Sequence, residues 1–209
     1  MQAERKETIS SHVSAWLRGE IIEGRLPPGE KINLDRLRTG RGISISPLRE
    51  AMARLEAEGL VEFEDQKGFR VAPASLDDLT EVTLLLGEVA PLALRLAMDR
   101  AELDWESRLI GALHRLARSP SAEQDHALDD VYRVIVGGCA NAHLIRHCHV
   151  LLTLLLRYRR IYGAMAATAG SLEGLVSDVG SGDTTAACAR LRQHLIDVSQ
   201  GPKEMLATK

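Results

Sequence analysis

A chain of 209 residues, 45% hydrophobic and 26% charged, has the make-up of a globular protein and excludes a largely disordered one. No apolar run reaches the ~18 residues of a membrane span and the opening MQAERKETIS lacks the apolar core of an export signal, so a cytoplasmic location is expected. Three cysteines, Cys139, Cys148 and Cys188, with no CxxC pair exclude a disulfide framework or a zinc knuckle, and a net charge of -3 disfavours nucleic acid as a partner unless the basic residues are concentrated.

They are concentrated. Between Lys31 and Arg54 stand Lys31, Arg36, Arg38, Arg41, Arg49 and Arg54, against only Asp35 and Glu50. Local potential governs the encounter with a phosphate backbone, so this stretch suits DNA, although a solvated helical face explains it equally. In chain order, Ile9, Val13, Trp16, Leu17 and Ile21 recur at helical spacing, and Gly24 with Pro27-Pro28-Gly29 ends that helix in a turn. Asn33 caps a second short helix carrying Leu34 and Leu37, which stops near Gly40 or Gly42. For the third helix Ser46 is the expected N-cap and Pro47 the first helical residue, since the N–H that proline lacks is not needed there. Leu48, Ala51, Met52 and Leu55 then form one apolar stripe, with Arg49 and Arg54 off it. After Gly59, LVEFEDQKGFRVAP alternates like two strands joined at Gln66-Lys67-Gly68.

Helix, helix, helix, hairpin is the order of a winged helix-turn-helix, whose third helix offers its N-terminus to the major groove. On this reading Arg36, Arg38, Arg41, Ser44, Ile45, Ser46 and Arg49 face DNA, with Lys67 and Gly68 of the hairpin tip against the minor groove or backbone. A compact protein-docking unit is the competing reading. The runs LRGEIIEGRLPPGEKI, ISISPLREAMARLEAEGLVEF and KGFRV resemble the DNA-binding domain of GntR-type bacterial transcriptional regulators, from Ile9 to Pro73. The resemblance carries two departures. Ile45 stands where the family usually has arginine, so it can pack on a thymine methyl but cannot donate to guanine or phosphate. Leu37-Arg38 replaces the usual Leu-Ala, and Arg38 or Arg41 is expected to supply the lost phosphate contact.

From Ser75 onward the pattern is helical throughout: residues 75–98, 101–118, 123–138, 142–163, 171–179 and 183–199, separated by Gly, Pro and Ser breaks. The fold class is therefore mainly α, a winged helix-turn-helix over 1–74 followed by an all-α helical bundle over 75–209 that binds an effector, dimerises, or both. By position, and by Asp129-Asp130-Val131-Tyr132-Arg133, Ala140-Asn141-x-x-Leu144 and Gly182-Asp183 followed by His194, the bundle resembles the FCD effector domain of the FadR branch. The resemblance implies a homodimer on a near-palindromic operator, usually a repressor relieved by a small organic acid. Many such domains hold a divalent metal with one aspartate and three histidines. Here Arg133 and Leu172 take the places of two histidines, leaving Asp129 and His194, so no metal and no cofactor are expected.

Without a metal, an arginine can neutralise a carboxylate ligand with a bidentate guanidinium. Arg133 then has two readings: a pocket cation, or the exposed i, i+4 partner of Asp129. His194 shares its side with Ala187, Leu191 and Val198 and is expected to be buried. His149, Thr153, Arg157 and Arg160 form a polar stripe on an apolar helix, lining a wet cavity if the helix is central and facing solvent if it is peripheral. His143 and His147 are also i, i+4, with no acidic third ligand nearby. No Gly-x-Ser-x-Gly elbow, phosphate-binding glycine loop or HExxH pair is present, so an enzyme is not expected. The remaining alternative is a ligand-independent module whose bundle only dimerises.

Overall fold

The computed structural model describes residues 8–100, 102–163 and 170–208. The chain divides into two compact units, residues 1–74 and 75–209.

The first unit packs α1 (Ile9–Ile22), α2 (Leu34–Arg41) and α3 (Ile45–Ala57) beside a hairpin of β1 (Val61–Glu64) and β2 (Gly68–Val71). Thr8 caps α1 and Asn33 caps α2 through their side chains, each accepting a backbone N–H of the first turn. Gly42 closes α2 in the left-handed region at φ 64°, where glycine pays no Cβ penalty. Val13, Leu17 and Ile21 of α1 meet Leu48, Ala51, Met52 and Leu55 of α3 in the core. The strands pair antiparallel with Val61 opposite Val71 and Phe63 opposite Phe69. The turn at Pro27 to Glu30 feeds a third edge onto this hairpin: Ile32 N–H donates to the Phe69 carbonyl and Val71 N–H to that of Glu30, both at 2.8 Å.

The second unit is a bundle of α4 (Leu76–Arg100), α5 (Leu103–Arg118), α6 (Gln124–Gly137), α7 (Ala142–Tyr162), α8 (Leu175–Gly180) and α9 (Thr184–Ala207), with single 3-10 turns at Ser121–Glu123 and Gly170–Leu172. The expected start of α5, Ala101, lies outside the described residues. The helix expected over 171–179 is instead a 3-10 turn followed by the short α8.

Both α4 and α9 run through a proline, Pro91 and Pro202. A proline in a helix orphans the carbonyl four residues earlier. Here arginines supply the missing donors: Arg192 Nε reaches the Gly87 carbonyl at 2.9 Å, and Arg159 Nη1 the Val198 carbonyl at 3.2 Å. This explains why α9 continues to Ala207 although Gly201-Pro202 argues for a stop at Ser199. At the other end of the bundle, Trp105 donates its indole N–H to the Val134 carbonyl at 2.8 Å and lies so close to Gly138 that a Cβ there would overlap Nε1.

Candidate functional site

The DNA-facing candidates lie on α2, on the start of α3 and on the hairpin tip. One expectation is corrected: α3 begins at Ile45, with Ser44 in the N-cap position and making no side-chain cap bond. The Ser46 hydroxyl points to the Glu50 carboxylate at 3.4 Å and is not the cap. The reason is that Ser-Ile-Ser-Pro offers two serines, and the turn following Gly42 puts the earlier one at the helix entry. The first amides of α3 thus keep unclaimed N–H groups at its positive end. Ile45 is 39% exposed, and Ser44, Ser46 and Arg49 are exposed beside it.

The arginines sort into two groups. Arg41 stacks its guanidinium on the Trp16 ring at 3.7 Å, and Arg38 lies 3.4 Å from the Asp35 carboxylate. Arg36 and Arg49 are exposed and, among the described residues, make no ion pair. On the hairpin, Lys67 reaches Glu64 at 3.0 Å and Gly68 begins β2 with φ 85°.

In the bundle, α6 and α7 form an antiparallel pair. Asp129 and Arg133 are bonded to each other at 2.9 Å and 2.8 Å, with Arg133 64% exposed. That is the i, i+4 surface arrangement. Along α7, His149 is exposed, Thr153 is half-buried with its hydroxyl on the His149 carbonyl, Arg157 is buried at 1% exposure and Arg160 reaches His126 at 3.1 Å. The expected stripe therefore passes from solvent into the protein. Partial desolvation and the nearby Arg133 guanidinium make His149 a weaker base than usual.

His194 is fully buried between two hydroxyls, Tyr132 Oη at 2.8 Å from Nε2 and Ser171 Oγ at 2.5 Å from Nδ1. In the neutral ring one nitrogen donates to its hydroxyl and the other accepts from its own. Burial, reinforced by the positive charge of Arg159, pulls its pKa down to about 3. Burial likewise raises the Tyr132 phenol, which stays protonated. Arg159, 8% exposed, holds the Asp125 carboxylate at 2.9 Å as well as the Val198 carbonyl. Residues two apart on a helix point to nearly opposite sides, so Arg157 and Arg159 do not serve one site. A separate apolar cleft of about 460 Å³ opens between α5 and the turn after residue 170, lined by Ile110, Leu113, His114, Leu172 and Val176.

The model of the gntR family of bacterial regulatory proteins matches residues 9–71, and that of the FCD domain residues 81–197, more than half of the chain. The chain belongs to the gntR family, with an FCD domain. This gntR-family regulator is similar to the HTH-type transcriptional repressor GlaR of Escherichia coli, 29% identical over 199 residues that cover 87% of this chain and 90% of GlaR. It is 30% identical to the HTH-type transcriptional regulator BphR of Paraburkholderia xenovorans over 155 residues, 69% of this chain and 63% of BphR. Its fold is that of a GntR regulator from a Rhodococcus species (TM-score 0.76, 19% identity, covering 96% and 98% of the two chains) and of McbR/YncC from E. coli (TM-score 0.74, 18% identity, covering 91% and 94%). The regulator binds DNA and is not an enzyme. No described helix is long and apolar enough to cross a membrane.

The donor set does not suit a metal in this regulator's FCD domain. Asp129 is bonded to Arg133, both nitrogens of His194 are taken by hydroxyls, and no group of three His, Cys, Asp or Glu side chains converges among the described residues. His143 and His147 are tied elsewhere: His147 Nδ1 lies 2.7 Å from the His143 carbonyl, and Arg146 reaches His143. His194 is held by Tyr132 and Ser171 and feels the charge of Arg159, itself paired with Asp125, a grouping that helical spacing does not reveal. The missed signal was Arg159 itself, a cation on the same helical side as Leu152, Leu155 and Leu156, where only a buried ion pair is tolerated.

Proposed function

We propose that this regulator is a homodimeric repressor whose operator affinity is set by a small organic acid bound in the FCD domain. In the DNA head, the contacts come from the start of α3 and its flanks. Arg49 and Arg36 meet base edges or phosphate, Ser44 and Ser46 meet phosphate, and Ile45 rests on a thymine methyl. Arg38 and Arg41 act mainly within the head, through Asp35 and Trp16, and Lys67 with Gly68 approaches the backbone from the hairpin.

The observation carrying the ligand reading is His194: a fully buried, neutral imidazole held by Tyr132 and Ser171 beside a nearly buried Arg159, in a bundle core that is mostly apolar. Burying a charge such as that of Arg159 costs several kcal/mol unless it is paired, and perturbed ionisable groups cluster at functional sites as well as in structural cores. A carboxylate that takes the Ser171 hydroxyl's place on His194 and shares Arg159 with Asp125 would find a ready donor set. His149, Thr153, Arg157, Asp129 and Arg133 form a second, outer set along α6 and α7. The test is thermal unfolding against a panel of mono- and dicarboxylates, with operator binding followed in parallel. A ligand bound only by the folded state raises the melting temperature, and the rise must vanish in Arg159→Met. Stabilisation by none of them, with DNA binding intact, would leave a bundle that only dimerises.

A further inference from the structure

α4 has two faces. Leu79, Val82, Leu86, Ala90, Leu94 and Ala97 are buried in the bundle, while Glu81, Leu84, Leu85, Glu88, Leu92 and Arg95 are exposed. Leu84 is 68%, Leu85 52% and Leu92 37% exposed. At about 100° per residue, all six exposed side chains lie within about 60° of Glu88, so they form one stripe rather than scattered exposures. The neighbouring helix widens it. Cys188 Sγ meets the Pro91 carbonyl and Arg192 Nε that of Gly87, so α9 runs antiparallel to α4. One turn further along α9, Ile196, 37% exposed, comes level with Leu84.

The charges on this stripe are placed symmetrically. Glu81 and Arg95 have opposite signs, stand seven residues on either side of Glu88 and, among the described residues, make neither an ion pair nor a side-chain hydrogen bond. We infer that this face of α4 is the self-association surface of the FCD domain, laid antiparallel on a second copy with the two-fold axis at Glu88; the inference rests on the homodimer reading above. Leu84 then packs on Leu92 of the partner subunit, and Glu81 pairs with Arg95 of the partner subunit, each contact occurring twice as an isologous interface requires. At 1.5 Å per residue Glu81 and Arg95 lie about 10 Å from the axis, where helices crossing at about 20° are still within reach of long side chains. The two Glu88 carboxylates meet near the axis, each with its own counter-charge, since Arg192 Nη2 lies 3.7 Å from Glu88. Asp77 and Asp99, which would face each other, stand about 16 Å out, where the helices have diverged and solvent screens them.

Charge reversal tests the pairing on the full chain by sedimentation velocity. Glu81→Arg sets arginine against arginine across the interface, Arg95→Glu sets glutamate against glutamate, and each raises the dimer Kd by about tenfold or more. The double variant Glu81→Arg/Arg95→Glu restores the dimer. An equimolar mixture of the two single variants forms heterodimers well beyond the statistical half, because in the mixed species no like charges are concentrated on both sides of the same contact pair. Leu84→Glu weakens the dimer irrespective of charge pairing, and circular dichroism checks that these exposed substitutions leave the fold intact. A dimer unaffected by reversal, with statistical mixing, overturns this surface and leaves the face to another partner while the homodimer stands. A wild-type chain that stays monomeric at tens of micromolar overturns both.

Discussion

At the scale of single residues the chemistry is carried by a few side chains in unusual settings. The imidazole of His194 is neutral because it is buried beside the positive charge of Arg159. Its folded pKa, about 3, lies below the ordinary histidine value near 6.5, so the unfolded chain binds a proton that the folded chain refuses. Stability from this group is therefore complete above about pH 6.5 and is lost as pH falls, with a slope of up to about 1.4 kcal/mol per pH unit. Between pH 6.5 and 5, where the carboxylates remain ionised, urea unfolding should show that slope in the wild type. It should be absent in His194→Gln; a slope that persists there would assign it to another group. In the DNA head, Arg49→Ala should cost about 1 to 3 kcal/mol of operator affinity with relaxed discrimination at one position if it reads a base, and a uniform loss across sequences if it touches phosphate. Fluorescence anisotropy with a set of single-base operator variants separates these outcomes. Gly138 is limited by space alone, and Gly138→Ala should lower stability by about 1 to 3 kcal/mol in chemical denaturation, since Trp105 must move off the Val134 carbonyl to admit a methyl.

At the scale of elements, the winged helix-turn-helix was legible because its punctuation is local. Asn33, Gly42 and the Gln66-Lys67-Gly68 turn state where helices start and strands reverse, and apolar spacing states which side of α1 and α3 is inward. Two things were not local. The start of α3 depended on which serine the preceding turn delivers to the cap, and the length of α9 depended on an arginine of α7. The burial of His194 followed from its neighbours at helical spacing, but its partners did not. Tyr132 and Ser171 come from segments 62 and 23 residues away, and no spacing rule joins them. Pro91 provides a test of the non-local part. Arg192→Met should cost about 1 to 3 kcal/mol by leaving the Gly87 carbonyl without a donor, and much less in a Pro91→Ala background, where the helix supplies its own N–H. Equal costs in the two backgrounds would reduce Arg192 to its contact with Glu88.

At the scale of the whole molecule, the first 74 residues carry twelve basic and twelve acidic side chains, and the remaining 135 carry fourteen and seventeen. The head is therefore not broadly positive, and the proposed DNA contacts rest on Arg36 and Arg49, which make no ion pair among the described residues, with Lys67 turning from Glu64 to phosphate. In the proposed dimer, two heads offering these three cations each should give a slope of log affinity against log salt of about -4 to -6. A much steeper slope would mean that the internally paired arginines also turn to phosphate. The prolines set a different kind of limit, one on succession. Arg192 and Pro91, like Arg159 and Pro202, are joined through one carbonyl oxygen, so the two members of each pair cannot be lost in either order with equal ease. A lineage that first loses the arginine passes through a chain with a bare carbonyl in a helix. One that first replaces the proline restores the helical amide and releases the arginine from that carbonyl alone, leaving its ion pair with Asp125 or Glu88 in place. Among descendants of this chain, then, the proline should survive without its arginine far less often than the arginine without its proline.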